Sequence, residues 1–335
     1  MQRHATDAAF AINKQFYRQG APTGKKVAVV GAGPAGLACA HKLAVLGHDV
    51  TLYEARQKGG GLNEFGIAAY KANDDIAQRE LTYILGVGGI AIHYGKALGH
   101  DFTLESLRQQ FDAVFLGMGL GDTNALGMGG DISGVMDAVA FIESLRQAPD
   151  KSTLAVGRSV VVIGGGMTAI DAAAQVKLLG AENVTIVYRR GKADMSASEY
   201  EQDVAQTRGV LIRHNLKPIK VESKAKAVTA VTFEYTTSLN GKVVGTGETM
   251  TIACDQVFTA IGQVLKASDL AKAGLEMEAG RIKIDYSRQT SLSDVWAGGD
   301  CVAGGDDLTV SAVEDGKQAG MAIDRYLAKS VHKSN

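Results

Sequence analysis

The chain contains two separate segments in which an apolar run leads into a glycine cluster and then into helix-forming residues. They read VAVVGAGPAGLA at 27–38 and VVVIGGGMTAID at 160–171. A continuous apolar run ahead of glycines predicts a parallel strand that is buried on both faces and turns sharply into a helix. Because the segments lie too far apart to share one βαβ unit, each is predicted to begin a domain of its own.

The first segment belongs to a complete predicted βαβ unit, with a strand at 25–30, a helix ending near Leu46 and a second strand ending in Glu54. In the motif G-x-G-x-x-G the first glycine permits a tight turn, the second lets the backbone approach a pyrophosphate, and the third lets the helix pack closely. An acid at the end of the second strand accepts hydrogen bonds from ribose hydroxyls and repels a 2′-phosphate. The unit therefore predicts a site for an adenine dinucleotide with an unphosphorylated ribose. Its motif glycines are Gly31, Gly33 and Gly36.

The second segment repeats this plan at 159–190 as the GxGxxA variant, in which Ala169 takes the third position. Its second strand ends in Tyr188, Arg189 and Arg190 and lacks an acid. An arginine there can bind a 2′-phosphate or stack on an adenine, whereas the alternative is a solvated strand end. The contrast with Glu54 favours NADPH in the second site and leaves NADH open. Two dinucleotides on one chain indicate electron transfer between them, and NAD(P)H to flavin is the common pairing.

Composition excludes several classes of function. A formal net charge of −1 gives no sign of a nucleic-acid surface or of an anionic membrane as partner. The sequence contains neither a signal-peptide h-region nor an apolar stretch of about 18 residues. The three cysteines, Cys39, Cys254 and Cys301, form no CxxC pair, so no dithiol centre, cluster or metal site is predicted. Sparse cysteine favours a reducing cytoplasm.

The segment at 294–323, DVWAGGDCVAGGDDLTVSAVEDGKQAGMAI, resembles the carboxyl-terminal FAD signature of the glutathione and thioredoxin reductase superfamily. The resemblance implies that Asp300 holds the ribityl chain of FAD. It also implies that a helix beginning near Leu308 points its N-terminus at the pyrimidine end of the flavin. The short strand–glycine motifs of the superfamily are matched by DAVFLGMG at 112–119 and VFTAIGQ at 257–263.

A narrower resemblance covers essentially the whole chain. QRHATD at 2–7, GGLNEFGIAAYK at 60–71 and GGGMTAID with YRR resemble the glutamate synthase small subunit and the flavin subunit of bacterial NAD(P)-dependent dihydropyrimidine dehydrogenase. The resemblance implies FAD in the first site, NAD(P)H in the second, and delivery of electrons through iron–sulfur clusters to a partner subunit.

The chain departs from that family pattern in two places. Family members carry a cysteine-rich cluster domain ahead of the QR-x-x-TD segment, and this sequence starts just before that segment. Onward electron transfer is therefore expected either to rely on another polypeptide or to be absent. The flavin loop also lacks the usual residues: Glu64 and Lys71 replace two arginines, and Ala68 and Asn73 replace two prolines. Without the prolines the loop is expected to be less rigid.

The resulting fold prediction is an α/β protein with two Rossmann-like three-layer dinucleotide-binding domains, the NAD(P)H domain inserted in the FAD domain. A linker helix is predicted at 1–24, the FAD domain at 25–127 plus 286–330, and the NAD(P)H domain at 150–285. Glycine-rich hinges are expected near 120–134 and 280–290. A hairpin at 231–252 is predicted to turn at Asn240-Gly241, a pair that favours a type I′ turn.

Hydride transfer between a nicotinamide and a flavin needs no side-chain nucleophile or base, so no catalytic residue and no metal ligand are predicted. Cys301 is interpreted as a packing residue. The expected contacts fall into two groups, one for each dinucleotide. For FAD they are Gly31, Gly33, Pro34, Ala35, Gly36, Glu54, Gly61, Leu62, Gly66, Leu98, Gly119, Gly299, Asp300, Leu308, Thr309 and Val310. For NAD(P)H they are Gly164, Gly166, Met167, Thr168, Asp171, Arg189, Arg190, Ile261 and Gly262.

Three functional hypotheses follow from the sequence. The leading one is an FAD-dependent NAD(P)H oxidoreductase that passes electrons to a partner subunit or iron–sulfur protein. The second is a stand-alone flavin reductase or diaphorase that reduces a soluble acceptor. The third, from a different class, is a redox-inert dinucleotide-binding scaffold.

Overall fold

Parallel strands alternate with helices along most of the chain, as the two apolar–glycine segments predict. The computed structural model describes residues 2–73, 75–128, 132–265 and 268–331. The α-helices are α1 (Gln2–Ala11), α2 (Pro34–Val45), α3 (Leu62–Phe65), α4 (Ile76–Leu85), α5 (Leu104–Gln110), α6 (Ala138–Gln147), α7 (Met167–Leu178), α8 (Glu199–Thr207), α9 (Ser268–Lys272) and α10 (Thr309–Val331).

The strands in chain order are β1 (Lys26–Val30), β2 (Asp49–Glu54), β3 (Ile90–Tyr94), β4 (Ala113–Leu116), β5 (Gly121–Thr123), β6 (Val135–Asp137), β7 (Ser159–Ile163), β8 (Asn183–Val187), β9 (Val210–Arg213), β10 (Leu216–Lys224), β11 (Ala227–Leu239), β12 (Lys242–Ala253), β13 (Gln256–Thr259), β14 (Gln263–Leu265), β15 (Met277–Glu278), β16 (Arg281–Ile282) and β17 (Val295–Ala297).

The chain divides into two compact units. Unit 1 comprises 1–64, 74–122 and 264–335, and unit 2 comprises 65–73 and 123–263. Residues 264–285 therefore group with unit 1, although the sequence places them in the NAD(P)H domain. The reason is apolar packing, because Leu270, Leu275 and Ile282 lie in the same buried cluster as strand residues of unit 1.

Unit 1 is built on a parallel sheet with strand order β17-β4-β1-β2-β3. Alternate residues of β1 face opposite layers, since side chains alternate across a strand. Val27 and Val29 pack with Leu43 of α2 in one buried cluster. Ala28 and Val30 pack in another cluster on the opposite face of the sheet. The sheet is thus buried on both faces, which explains the unbroken apolar run in the sequence.

Unit 2 has a second parallel sheet, with strand order β6-β13-β7-β8-β9. Val160 and Val162 of β7 pack in a cluster with residues of α6 and α7. Val161 and Ile163 face a different cluster, which includes Phe233 of the antiparallel sheet β10-β11-β12. The predicted α/β fold with parallel sheets is confirmed, and in unit 2 an antiparallel sheet covers one face.

The hairpin of unit 2 forms where the sequence predicts it. Leu239 pairs with Lys242 across the turn. Asn240 has φ 50° and Gly241 has φ 75°, so both central residues are left-handed, as a type I′ turn requires. The turn prediction is confirmed. None of the helices in the described ranges is both long and apolar enough to cross a lipid bilayer.

Candidate functional site

In unit 1 the first glycine loop connects β1 to α2. A methyl group on Gly31, where φ is 98°, would lie 2.5 Å from the carbonyl oxygen of Gly117 at the end of β4. A methyl group on Gly36 would collide with the carbonyl oxygen of Gly31. A methyl group on Gly33 would meet only ordinary contacts, at 3.7 Å from the Cα of Gly61 and 4.0 Å from Gly117. The two outer glycines are therefore needed for packing, whereas the middle one keeps space open.

The helix that follows this loop has a free N-terminus. Gly33 is the N-cap of the 12-residue α2, Pro34 follows it, and no side chain in the described part of the chain caps the helix. The first amides of an uncapped helix point outward with a partial positive charge. Such an N-terminus is a ready anion site, and a pyrophosphate matches it.

Glu54 closes the loop from the end of β2. Its side chain is buried, with 8% of the residue surface exposed. One carboxylate oxygen accepts the Ala32 N–H at 2.8 Å, and the other accepts the Arg56 N–H at 2.8 Å. A carboxylate has about four lone-pair sites, so ribose hydroxyls can still donate to it.

A second turn of unit 1 packs directly on the glycine loop. The Gly60 N–H donates to the Ala32 carbonyl at 2.7 Å. A methyl group on Gly61, where φ is 55°, would lie 2.8 Å from the Cα of Gly33. The structure therefore brings the predicted FAD residues Gly31–Gly36 and Gly61 together.

The end of β17 joins the same cluster. A methyl group on Gly299, where φ is 75°, would lie 3.1 Å from the Cβ of Ala35. The Gly299 N–H donates to Asp315 at 3.0 Å. Burial raises the pKa of the neighbouring Asp300 carboxyl, with a further upward contribution from Asp307 that Arg281 opposes.

Asn63 is a candidate residue that the sequence reasoning missed. The Thr309 hydroxyl at the start of α10 donates to its side-chain oxygen at 2.9 Å. Asn63 lies in the GGLN motif, so a signal was present in the sequence. The contact depends on two segments 246 residues apart, and no local pattern reveals such a pairing.

Other predicted FAD residues lie outside this cluster of close contacts or are exposed. Leu98 packs among partly buried side chains that include Tyr53 and Phe102. Gly66 belongs to unit 2, although it was predicted to contact FAD. Gly119 has φ 64° and open space around it. Three predicted apolar contacts have side chains exposed to solvent: Leu62, Leu308 and Val310.

In unit 2 the second glycine loop connects β7 to α7. A methyl group on Gly164, where φ is 151°, would collide with the carbonyl oxygen of Ala260, which follows β13. A methyl group on Gly165 would collide with the ring of Tyr188. Ala169 is fully buried, so the third motif position accepts a methyl group here.

The helix of the second loop also has a free N-terminus. Gly166 is the N-cap of the 12-residue α7, and no side chain in the described residues caps it. Met167 is exposed and Thr168 is half-buried at this end of the helix. Ile261 and Gly262 follow β13 nearby in the fold, and their carbonyls accept from the Asn124 side chain at 3.2 and 3.3 Å. The N-terminus of α7 is therefore a second ready anion site.

Two arginines follow β8, and hydrogen bonds to their carbonyls hold the main chain there. The Thr236 hydroxyl donates to the Arg189 carbonyl at 2.9 Å. The Asn215 N–H donates to the Arg190 carbonyl at 3.0 Å. Both arginine side chains are exposed, and Arg190 also approaches the Tyr188 hydroxyl at 3.4 Å. The guanidinium groups are thus presented to solvent from a fixed main chain.

A segment that sequence reasoning missed borders this loop. The Ala197 N–H donates to the Gly165 carbonyl at 3.1 Å. The Ser196 hydroxyl lies 3.4 Å from the position of a methyl group on Gly166. Ser196 lies outside the β7–α7 motif in sequence, so only the fold brings it to the loop.

Asp171 has internal partners in unit 2. It is buried in α7, forms an ion pair with Lys71, and accepts the Ala68 N–H at 3.1 Å. Lys71 also pairs with Glu201 at 2.9 Å. Burial raises the pKa of Asp171, and Lys71 opposes that shift. These contacts attach residues 65–73 to α7. The Asp171 carboxylate, which was predicted to contact NAD(P)H, therefore has partners within the protein.

The cysteines are single and buried. Cys39, Cys254 and Cys301 are free thiols. Burial raises the pKa of Cys301 to about 12, and its Sγ lies 3.3 Å from the Gly298 carbonyl oxygen. A thiol in this state is neutral at pH 7 and unreactive. Within the described residues no cluster of three or more His, Cys, Asp or Glu side chains could hold a metal ion.

The two loops fit the groups that the sequence predicts for them. Each has an uncapped helix N-terminus behind a buried parallel strand, with glycines where added methyl groups would clash. Two such sites on one chain define the two-dinucleotide class of flavin and pyridine-nucleotide proteins. More particularly, the chain belongs to the pyridine nucleotide-disulphide oxidoreductase family, which matches residues 25–316.

Relatives support the same assignment. The chain is 34% identical over 331 residues to the NAD-dependent dihydropyrimidine dehydrogenase subunit PreT of Salmonella typhimurium, covering 98% of this chain and 75% of the relative. It is 33% identical over 317 residues to the NADP(+)-dependent formate dehydrogenase subunit beta of Moorella thermoacetica. That match covers 91% of this chain and 44% of the relative, so the chain spans less than half of that protein.

Solved structures share the fold. Thioredoxin reductase of T. acidophilum superposes with a TM-score of 0.72 at 22% identity, over 91% of this chain and 99% of that one. FprA of Mycobacterium tuberculosis in complex with NADPH gives a TM-score of 0.75 at 17% identity, over 92% of this chain and 86% of that one. Together with the family match, these comparisons confirm the predicted oxidoreductase class with FAD and NAD(P)H as cofactors.

Proposed function

We propose that this chain is an electron-input subunit, which binds FAD in unit 1 and NAD(P)H in unit 2 and passes electrons to a partner. The observation that carries the proposal is that the two glycine loops have residues of opposite charge at the strand ends where a ribose would bind. The first loop is closed by the buried carboxylate of Glu54, and the second ends in exposed Arg189 and Arg190. A carboxylate favours a ribose without a 2′-phosphate, and arginines favour a phosphorylated one.

In unit 1 the proposed FAD site is formed by the loop at 31–36, the turn at 60–61 and the end of β17. The α2 N-terminus would bind the pyrophosphate, Glu54 the adenosine ribose and Asp300 the ribityl chain. The start of α10, at Thr309, would stabilise negative charge on the flavin ring through its helix dipole. When bound, FAD supplies the two-electron acceptor for hydride from NAD(P)H.

In unit 2 the proposed NAD(P)H site is formed by the α7 N-terminus and the strand end at 188–190. Hydrogen bonds from the Thr236 hydroxyl and the Asn215 N–H fix the main chain of the two arginines, which lowers the entropy cost of binding. A 2′-phosphate accepts two hydrogen bonds from one guanidinium, so NADPH is the proposed substrate. The contribution of these residues to catalysis is binding and orientation, with no general base.

The proposed partner carries the electrons onward. Relatives over most of this chain are named as subunits, including PreT and the NADPH-Fe(3+) oxidoreductase subunit beta of Geobacter sulfurreducens. The three cysteines of this chain are separate and buried, so they cannot ligate an iron–sulfur cluster together. An iron–sulfur protein is therefore the proposed acceptor.

Free thiols without a disulfide also support a reducing cytoplasm.

The test is anaerobic reduction of the purified protein reconstituted with FAD. A yellow protein whose flavin absorbance is bleached by NADPH, and which turns over steadily only with a partner subunit, supports the proposal. Full steady-state turnover with a small dye and no partner would instead assign a stand-alone reductase. A colourless protein that takes up no FAD would leave only a dinucleotide-binding scaffold.

A further inference from the structure

A cavity of about 520 Å³ lies in unit 1 between α2, α4 and α10. On α2 its wall is formed by one helical face, with Leu37, His41 and Val45 at successive turns. Ligand pockets have volumes of about 300–1,000 Å³ and are mostly apolar with a few polar groups. The cavity lies in this range, and most of its accessible lining is apolar.

The packing of the three helices leaves this space open. On one side α10 approaches α2 closely through glycines, since a methyl group on Gly316 would collide with the Ala35 carbonyl oxygen. On the other side α4 contributes Ala77 and Ile84 to the wall. The space between α4 and α10 is therefore a wedge whose floor is α2.

One end of the cavity is aromatic and held in place. The Tyr17 ring meets the His41 ring edge-on, with centroids 5.1 Å apart. The Tyr83 hydroxyl accepts the Phe16 N–H at 3.2 Å, and the Gln15 side chain donates to the Tyr83 carbonyl at 2.8 Å. Burial, with a smaller contribution from Lys42, lowers the pKa of His41, so its ring is neutral at pH 7. Rings fixed in this way favour a flat aromatic ligand.

The charge at the cavity is cationic. Lys42 and Lys317 line it, with Glu80 as the acidic side chain. Lys317 forms an ion pair with Glu314 at 3.0 Å, and Glu80 also has an interaction partner, so neither side chain is free. Lys42 makes no ion pair with any residue that the structure describes. An unpaired ammonium beside an apolar cavity complements an anionic substituent.

We propose that this cavity binds a planar aromatic anion, with the rings between Tyr17, His41 and Val313 and the anionic group at Lys42. The cavity shares Pro34, Gly60, Asn63 and Thr309 with the proposed flavin site, whereas Glu54 and Asp300 do not line it. The proposed ligand therefore lies beside Tyr17 and His41, in the part of the cavity that continues beyond the residues shared with the flavin site.

The probe is 8-anilinonaphthalene-1-sulfonate, whose fluorescence rises in apolar surroundings, titrated into the FAD-reconstituted protein. We expect saturable binding at one site, with a dissociation constant on the order of 10 µM. Naphthalene-1-sulfonate should displace the probe, and the cation 1-naphthylmethylammonium of similar size should not. Val313→Trp fills the cavity from an exposed position and should weaken binding at least about tenfold. Lys42→Glu should weaken it about threefold to tenfold.

The matched control is Lys329→Glu, which places the same charge change on α10 outside the cavity and should leave binding unchanged. Equal weakening by Lys42→Glu and Lys329→Glu would reduce the effect to general surface charge and overturn the proposal. Displacement of the probe by added FAD from the apoprotein would place the probe in the flavin site and also overturn it. A dimer that Val313→Trp dissociates, without any probe binding, would assign this face to a second copy of the chain.

Discussion

The two glycine loops differ more than their shared motif indicates. In unit 1 the third position must be glycine, because a methyl group on Gly36 would collide with Gly31. In unit 2 the same position is Ala169, whose methyl group is fully buried without a clash. The first loop is also tied down by the carboxylate of Glu54, whereas the second loop leads to the exposed Arg190.

The difference indicates that two loops of the same architecture suit different kinds of ligand. A loop closed by its own buried carboxylate is preorganised and suits a cofactor that stays bound. An exposed cationic end suits a nucleotide that must exchange in each turnover, since its contacts form and break in solvent. Strand, turn and helix form the same uncapped helix N-terminus in both units, and in the proposed function the residues at the strand ends decide the ligand.

The largest expected difference in stability between the two loops follows from substitutions at the third motif position. Gly36→Ala should destabilise unit 1 by about 3 kcal/mol and abolish FAD binding, because α2 must move away from β1. Ala169→Gly should cost only about 1 kcal/mol, the usual difference between alanine and glycine in a helix. Urea unfolding and flavin absorbance after reconstitution measure both. Equal costs in the two loops would show that the comparison is wrong.

A smaller effect is expected at the cationic strand end. The double change Arg189→Ala with Arg190→Ala should weaken NADPH binding about 10- to 100-fold and NADH binding less than about threefold, because only NADPH carries the 2′-phosphate. Arg158→Ala, which removes an exposed arginine elsewhere in unit 2, is the control and should change neither. Parallel losses for NADH and NADPH in binding titrations would mean that the arginines stack on adenine.

Asp300 should affect stability and affinity in opposite directions. Because its folded pKa is raised, the FAD-free protein loses stability as pH rises from the usual value of 3.8 through the raised pKa. Asp300→Asn should therefore stabilise the FAD-free protein at pH 7, on the order of 1 kcal/mol, and leave it nearly unchanged at pH 3.

The same change should weaken FAD binding about tenfold, because an ionised hydrogen-bond acceptor is lost. Urea unfolding at several pH values and FAD titration are the measurements. A variant that is less stable at pH 7 would contradict the raised pKa of Asp300. A variant that binds FAD as well as the parent protein would remove Asp300 from the proposed site.

The smallest effect is expected at Cys301. With a pKa of about 12 the thiol should not react with iodoacetamide in the folded protein at pH 8, and Cys301→Ala should keep the rate of flavin reduction. Mass spectrometry after alkylation, with and without urea, is the check. Rapid modification of the folded protein at this residue would contradict its interpretation as a packing residue.

Sequence patterns predicted those elements whose structure depends on residues within the element or next to it. The second strand of the first unit was predicted to end in Glu54 and forms at Asp49–Glu54, and the hairpin turn lies at Asn240-Gly241 as expected. These features depend on neighbours in sequence, such as an apolar run that ends at glycine or a pair that adopts positive φ. Glycine and apolar periodicity are therefore sufficient for them.

Long-range packing could not be predicted in the same way. The sequence of 264–285 contains apolar residues such as Leu270 and Leu275, but it does not say which of two cores they join. Likewise, the contact of Ser196 with the second loop and that of Asn63 with Thr309 depend on segments that the fold brings together. Asp171 was predicted as a cofactor contact from its place in the motif, and its partner Lys71 becomes visible only in the structure.

The central claim is that one chain holds two nucleotides at the same time in separate sites. Isothermal titration of the FAD-free protein with FAD, followed by titration of the loaded protein with NADP⁺, tests this directly. We expect one FAD per chain and then one NADP⁺ per chain, with neither displacing the other. Competition between the two for a single site, or loading of only one of them, would contradict it.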